Sequence, residues 1–199
     1  MAAILTNLRT TVHVSLALAI LYYVGYVLAG GTALNYEAIA RWTHVVAGIM
    51  WIGLLWYFNF VQIPNMPNIP DDQKPAIGKV IAPAALFWFR WGAAATVLTG
   101  LIVAALRGYL VEVLSLGLLA DAYTPQYSFI GIGMWMALIM AFNVWFVIWP
   151  NQKIALGIVE ADADAKPAAA RTAMLFSRTN TLLSFPMLIA MSMAQTLFG

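Results

Sequence analysis

An all-α fold, a polytopic membrane bundle of about five transmembrane helices with one further interfacial helix, is what this sequence of 199 residues predicts. Two observations carry the prediction. Apolar residues make up 63% of the chain and charged residues 9%, against about 25% charged in a soluble domain, so there is too little polar surface to cover a water-soluble globule. The apolar residues also gather in five long stretches, each close to the roughly 20 residues a helix needs to cross the hydrocarbon core. These stretches take up most of the chain and predict a single integral membrane domain over residues 1–199. The same composition excludes other classes. A formal net charge of +2 carries no nucleic-acid footprint, and the lack of cysteine excludes disulfides, thiolate metal sites and covalent CxxCH haem attachment.

The first span is predicted over about residues 11–30, ending at Gly30-Gly31. A single arginine, Arg9, before an apolar run gives it the outline of a signal peptide, but it reads as a retained span. The second covers about residues 38–63. Pro64, Pro67 and Pro70 follow at three-residue spacing, then Asp71, Asp72 and Lys74; this pattern suits a stiff, extended polyproline-like connector. The third span covers about residues 81–106. Residues 108–120 are apolar but too short to cross, with Glu112 and Asp121 beside them, and read as an interfacial or partly re-entrant helix. The fourth span runs over about residues 128–149 and stops at Pro150. Residues 152–172, alanine-rich with mixed charges, read as a helix along the membrane surface. The fifth span covers about residues 179–198, with Pro186 allowing a kink.

Orientation follows from the cationic flanks. Arg9, Lys74, Lys79, Lys153, Lys166, Arg171 and Arg178 flank one side, with Arg90 nearer to it, whereas Arg41 and Arg107 flank the other. The positive-inside rule then places the N-terminus in the cytoplasm and the C-terminus outside, in a bacterial inner membrane. Tyr36, Trp42, Trp88 and Trp149 near span ends fit interfacial belts.

His44 is the sharpest chemical signal, because an ionisable side chain inside a span is costly. It shares one helical face with Gly48, Trp51 and Leu55. Glycine one turn from a histidine leaves room for a flat ring beside the imidazole, the arrangement of an axial haem ligand in a helical bundle; imidazole is also a common metal ligand. The competing reading is a histidine hydrogen-bonded between helices as packing glue. His13, the other histidine, falls at the start of the first span, at a different depth, and reads as interfacial. Met134, Met136 and Met140 are candidate second ligands from the fourth span, although methionine is also a frequent core filler. No metal site stands out beyond this.

Arg90 in the third span suits a propionate or an anionic substrate, or snorkels to lipid phosphates. Gly92, Thr96, Gly100 and Ala104 recur every four residues, a small-residue stripe that permits close helix contact and can also seat a cofactor. Asn59 and Gln62, then Asn143, Asn151, Gln152 and Lys153, then Arg178 and Asn180 collect near the cytoplasmic ends of three spans. They are expected to bond to one another and to cap helix ends, with a polar pocket as the alternative.

Four stretches, Arg41 to Gly53 (RWTHVVAGIMWIG), Trp88 to Gly100 (WFRWGAAATVLTG), Asn143 to Lys153 (NVWFVIWPNQK) and Arg178 to Met191 (RTNTLLSFPMLIAM), together resemble the membrane domain of the bacterial membrane-bound urate hydroxylase family, the PuuD type. The span with His44 is also similar to spans in the copper-resistance D and HemJ-type membrane families, the latter associated with haem. The resemblance implies a helical membrane fold and a redox or haem role for His44. That family also has a larger membrane domain, a C-terminal cytochrome c, and histidines in the spans equivalent to four and five. This sequence has no CxxCH motif and no histidine in either span, so only His44 carries over.

Three functional readings follow. The first is a redox membrane component holding haem b through His44 and passing electrons to a partner. The second is a non-catalytic accessory or structural subunit of a larger membrane complex, or a symmetric homo-oligomer, that binds no cofactor and has lost the family's site. The third, a transporter or channel, ranks last, because no inverted repeat or charged pathway is visible. Membrane lipids are expected partners throughout, and nucleic acid is not.

Overall fold

The computed structural model describes residues 2–31, 35–162 and 164–198. Among the described residues there is no strand, and five helices are long and apolar enough to cross a membrane. Contacts group the chain into two compact units, residues 1–38 and 39–199.

The first unit holds α1 (Ala2–Leu5) and α2 (Leu8–Leu28). Asn7 starts α2 because its side-chain oxygen accepts the orphan N–H groups of Arg9 and Thr10, at 3.0 and 3.3 Å. Gly30 closes the helix in the left-handed region, at φ 92°. Every side of α2 is apolar, and none of its residues is buried; His13 is exposed on it.

The second unit is built from α3 (Tyr36–Asn68) from Ile39 onward, α4 (Lys74–Leu106), α6 (Pro125–Ala155) and α7 (Ala165–Phe198), with the short α5 (Leu110–Leu114) between α4 and α6. Its core runs through Trp51, Leu55, Phe58, Leu86, Phe89, Met140, Val144 and Ile148. Small residues set the close approaches. Gly92 of α4 leaves room for the backbone of Trp51, whose nitrogen lies 3.3 Å from where a Cβ would stand. At Gly133 of α6 a Cβ would come 2.5 Å from the Cβ of Ala190 in α7. These contacts are the membrane form of small-residue helix packing.

Several helices run further than the sequence suggests. The connector expected at Pro64 and Pro67 is helical: α3 continues through Ile63–Asn65 and a 3-10 turn at Met66–Asn68. Pro150 does not stop the fourth span, because α6 reaches Ala155. The reason is common to three helices. A wide π segment precedes the proline each time: Tyr57–Gln62 before Pro64, Ile77–Ile81 before Pro83, and Asn143–Ile148 before Pro150. In each, the N–H next to the proline reaches five residues back, from Ile63 to Phe58, Ala82 to Ile77 and Trp149 to Val144. A proline in a helix removes an N–H and crowds the carbonyl four residues before it. The π register shifts the carbonyls by one place, so the ring fits without breaking the helix.

The surface helix expected over residues 152–172 is absent as a separate element. Its first part ends α6, where Gly157 turns the chain at φ 69°, and its last part is the start of the 34-residue α7; residue 163 lies outside the described residues. Alanine, lysine and arginine are strong helix formers, and Pro167 falls in the first turn, where proline is tolerated. Of the stretch 108–120, only Leu110–Leu114 is helical. Leu116 at φ 56° and Gly117 at φ 84° then turn the chain. The turn is pinned to α6 by Ser128 Oγ donating to the Leu116 carbonyl at 2.7 Å and Trp135 Nε1 donating to the Leu114 carbonyl at 2.9 Å.

Candidate functional site

His44 lies in the first half of α3 and faces α4. Its Nδ1 is 2.9 Å from the carbonyl oxygen of Thr96 and 3.3 Å from the hydroxyl of Thr99. A carbonyl has no proton to give, so Nδ1 donates and Nε2 of the neutral ring keeps its lone pair. The Thr99 hydroxyl is itself committed as a donor to the Ala95 carbonyl at 2.6 Å, which leaves its oxygen free to accept from His44. The ring is seated on Gly100: a Cβ there would lie 2.9 Å from Cε1. Two members of the small-residue stripe, Thr96 and Gly100, thus fix the tautomer and the tilt of the imidazole, the service that outer partners perform for metal-ligating histidines.

His44 opens on a cavity of about 720 Å³ between α3, α4, α6 and α7, within the range of about 300–1,000 Å³ common for small-molecule and cofactor sites. Gly48 and Trp51 line it as well, so three of the four residues that the sequence grouped around a cofactor meet there. At Gly48 a Cβ would meet only the Thr96 methyl, at 3.8 Å, so the space beside the histidine is open. The Trp51 indole N–H is buried at the same wall with no acceptor among the described residues. Met134 lines the cavity, Met136 packs against the core and Met140 is fully buried within it.

The fourth residue, Arg90, does not line this cavity. Its guanidinium carbon lies over the Trp149 ring, 3.3 Å from the centroid, a cation–π contact. Its Nε and Nη1 have no hydrogen-bond partner among the described residues.

Of the polar groups expected at the helix ends, Asn59, Asn143 and Asn180 are buried within their helices and tie α7 to its neighbours. Asn143 Nδ2 donates to Asn180 Oδ1 at 2.8 Å, and Asn180 Nδ2 donates to the Met140 carbonyl at 2.9 Å. Asn59 Nδ2 donates to Ser177 Oγ at 2.8 Å and to its own helix at Leu55. Trp56 Nε1 donates to Ser184 Oγ at 3.1 Å. Asn151 bonds back to Val147, Lys153 sits 5.8 Å from the Trp149 ring centroid, and Arg178 is exposed. Gln62 and Gln152 line a second cavity of about 440 Å³ at the other end of these helices. Trp51 of the first cavity and Phe89 of the second belong to the same buried core.

Sequence reasoning missed the polar rim of the His44 cavity. Arg41, Arg107, Tyr109, Gln126 and Gln195 come from the same end of four helices. Arg41 and Arg107 flank consecutive antiparallel spans, and that pairing was the available signal.

The fold and this site define the class: an all-α, multi-pass membrane protein with an intramembrane histidine cavity. The family profile described as urate oxidase N-terminal matches residues 102–195, a little under half of the chain. The match takes in the end of α4, all of α5 and α6 and most of α7, including the Asn143–Asn180 pair, but not His44. No curated protein and no solved structure matches the chain.

Proposed function

We propose that this chain is a membrane redox component that holds a b-type haem in the His44 cavity. One observation carries the reading: Nδ1 is committed to the Thr96 carbonyl, so Nε2 is the free nitrogen of a ring that lines an apolar cavity of cofactor size. When bound, haem supplies one-electron transfer in a site shielded from water. His44 Nε2 would ligate the iron, with Thr96 and Gly100 holding the ring in place. Gly48 leaves the space that a macrocycle needs beside it. Val45, Ile52, Leu101 and Ala137 keep the site apolar, which excludes water and tunes potential through the local dielectric. Met134, which also lines the cavity, would be the thioether available as a second ligand.

The likeness of residues 102–195 to the urate oxidase N-terminal family supports an oxidative setting for this chain. Because the matched stretch omits His44, the haem reading rests on the cavity. The asymmetry of lysine and arginine supports a cytoplasmic N-terminus in a bacterial inner membrane.

The test is a reduced-minus-oxidised spectrum of the detergent-purified protein with a pyridine haemochrome assay. Stoichiometric haem b, lost in His44→Ala and kept in His13→Ala, is the expected result. A colourless protein free of haem would overturn the reading and leave the accessory-subunit role.

A further inference from the structure

The charged residues of the His44 cavity lie toward one end of its helices. Its walls are apolar along most of their length, whereas Arg41, Arg107, Tyr109, Gln126 and Gln195 gather at one rim. The convergence is topological. Arg41 lies near the start of α3, Arg107 caps α4, Gln126 lies in the first turn of α6 and Gln195 in the last turn of α7. Antiparallel packing brings these four positions to the same end. Arg41 also precedes His44 by only three residues, about 4.5 Å of helix rise, so the rim stands within one turn of the imidazole.

Two guanidiniums at one end of a largely apolar cavity suit a ligand that is apolar over most of its body and anionic along one edge. Both arginines have other interactions within the protein, and the Arg107 guanidinium carbon lies 5.7 Å from the Tyr109 ring centroid. A guanidinium has five N–H donors in a planar fork that matches a carboxylate two bonds at a time, so each arginine can serve a ligand beside its existing partner. Lysine would provide only a point charge.

Resting on the reading of this cavity as a haem site, we propose that Arg41 and Arg107 grip the carboxylate edge of the tetrapyrrole and make the site selective for the free-acid form. The two arginines then set which way round the ring enters, carboxylates at the rim and apolar edge toward Trp51. Tyr109, Gln126 and Gln195 complete the donor set.

The experiment titrates the cofactor-free full chain in detergent with haem b and with haem b dimethyl ester, which has the same ring and iron but no carboxylates. The readout is the Soret shift. Wild type is expected to bind the free acid at least tenfold more tightly than the ester. Arg41→Gln and Arg107→Gln should each weaken binding of the free acid and leave that of the ester unchanged, and the double variant should bind both alike. Unchanged ester binding also reports that the variants are folded. Equal affinities in wild type, or variants that weaken both ligands equally, would overturn the role of the rim while leaving His44 as ligand. Failure of both ligands to give a His44-dependent spectrum would overturn the haem reading and this inference with it.

Discussion

The imidazole of His44 occupies the place where a side chain at position 100 would have to stand. A Cβ on Gly100 would come 2.9 Å from Cε1 and 3.2 Å from Nδ1 of that ring. Histidine and glycine, on different helices and 56 positions apart in sequence, are therefore one structural decision: the ring keeps its bond to Thr96 only while residue 100 has no side chain.

Gly100→Ala should consequently push the ring off the Thr96 carbonyl. Overpacking of this kind costs about 1–3 kcal/mol, to be read from unfolding in detergent, and any His44-dependent absorbance should fall with it. Gly48→Ala is the contrast. Its Cβ would meet only the Thr96 methyl at 3.8 Å, and alanine favours helix over glycine by up to about 1 kcal/mol. That variant should fold at least as well as wild type, and under the haem proposal it should bind haem more weakly, because the methyl takes cavity space. Equal binding by the two variants would contradict the seating described for the ring.

Asn143 and Asn180 provide a measurable interhelical coupling. Asn180 joins Asn143 to the Met140 carbonyl and is fully buried, so Asn180→Ala removes two interhelical bonds where Asn143→Ala removes one. The larger loss of stability is expected at Asn180. A double-mutant cycle should return a coupling of about 0.6 kcal/mol, the average for hydrogen bonds between membrane helices, and no more than the maximum of about 1.7 kcal/mol.

Pro150→Ala should change stability by less than about 1 kcal/mol, well short of the roughly 3 kcal/mol a proline costs in an ordinary helix interior. The π segment Asn143–Ile148 already routes the carbonyls around the missing N–H, so restoring that N–H gains little. A gain near the full amount in thermal or denaturant unfolding would mean that the wide turn does not relieve the ring.

Gly131 and Gly133 should differ in their response to the same methyl. At Gly131 a Cβ would run into the backbone carbonyl of Val113, whereas at Gly133 it would meet the Cβ of Ala190 and the flexible end of Met191. Gly131→Ala is expected to be the more damaging, at the upper end of the usual 1–3 kcal/mol for overpacking, and to loosen α5. Faster hydrogen exchange at Leu110–Leu114 would report that loosening.

The membrane-spanning helices were legible because apolar length is a strong, local signal. Their ends were not. Proline normally marks a stop, and reading Pro64 and Pro150 in that way cut α3 and α6 short, since a π register leaves no simple trace in composition. The face of His44, Gly48 and Trp51 was readable from helical spacing within one span. What lay beyond reach was anything that needs two helices in register: the Thr96 carbonyl as partner of His44, the rim formed by Arg41 and Arg107, and the separation of Arg90 from the cavity by its cation–π contact with Trp149. A backbone carbonyl has no letter in the sequence at all.

Trp51 stands at the wall of one cavity and Phe89 at the wall of the other, and both belong to a single buried core. Close-packed interiors transmit strain rather than absorb it. The two spaces therefore cannot be reshaped independently: a change of volume at Trp51 or Phe89, made for the sake of one cavity, is felt through the shared core by the other.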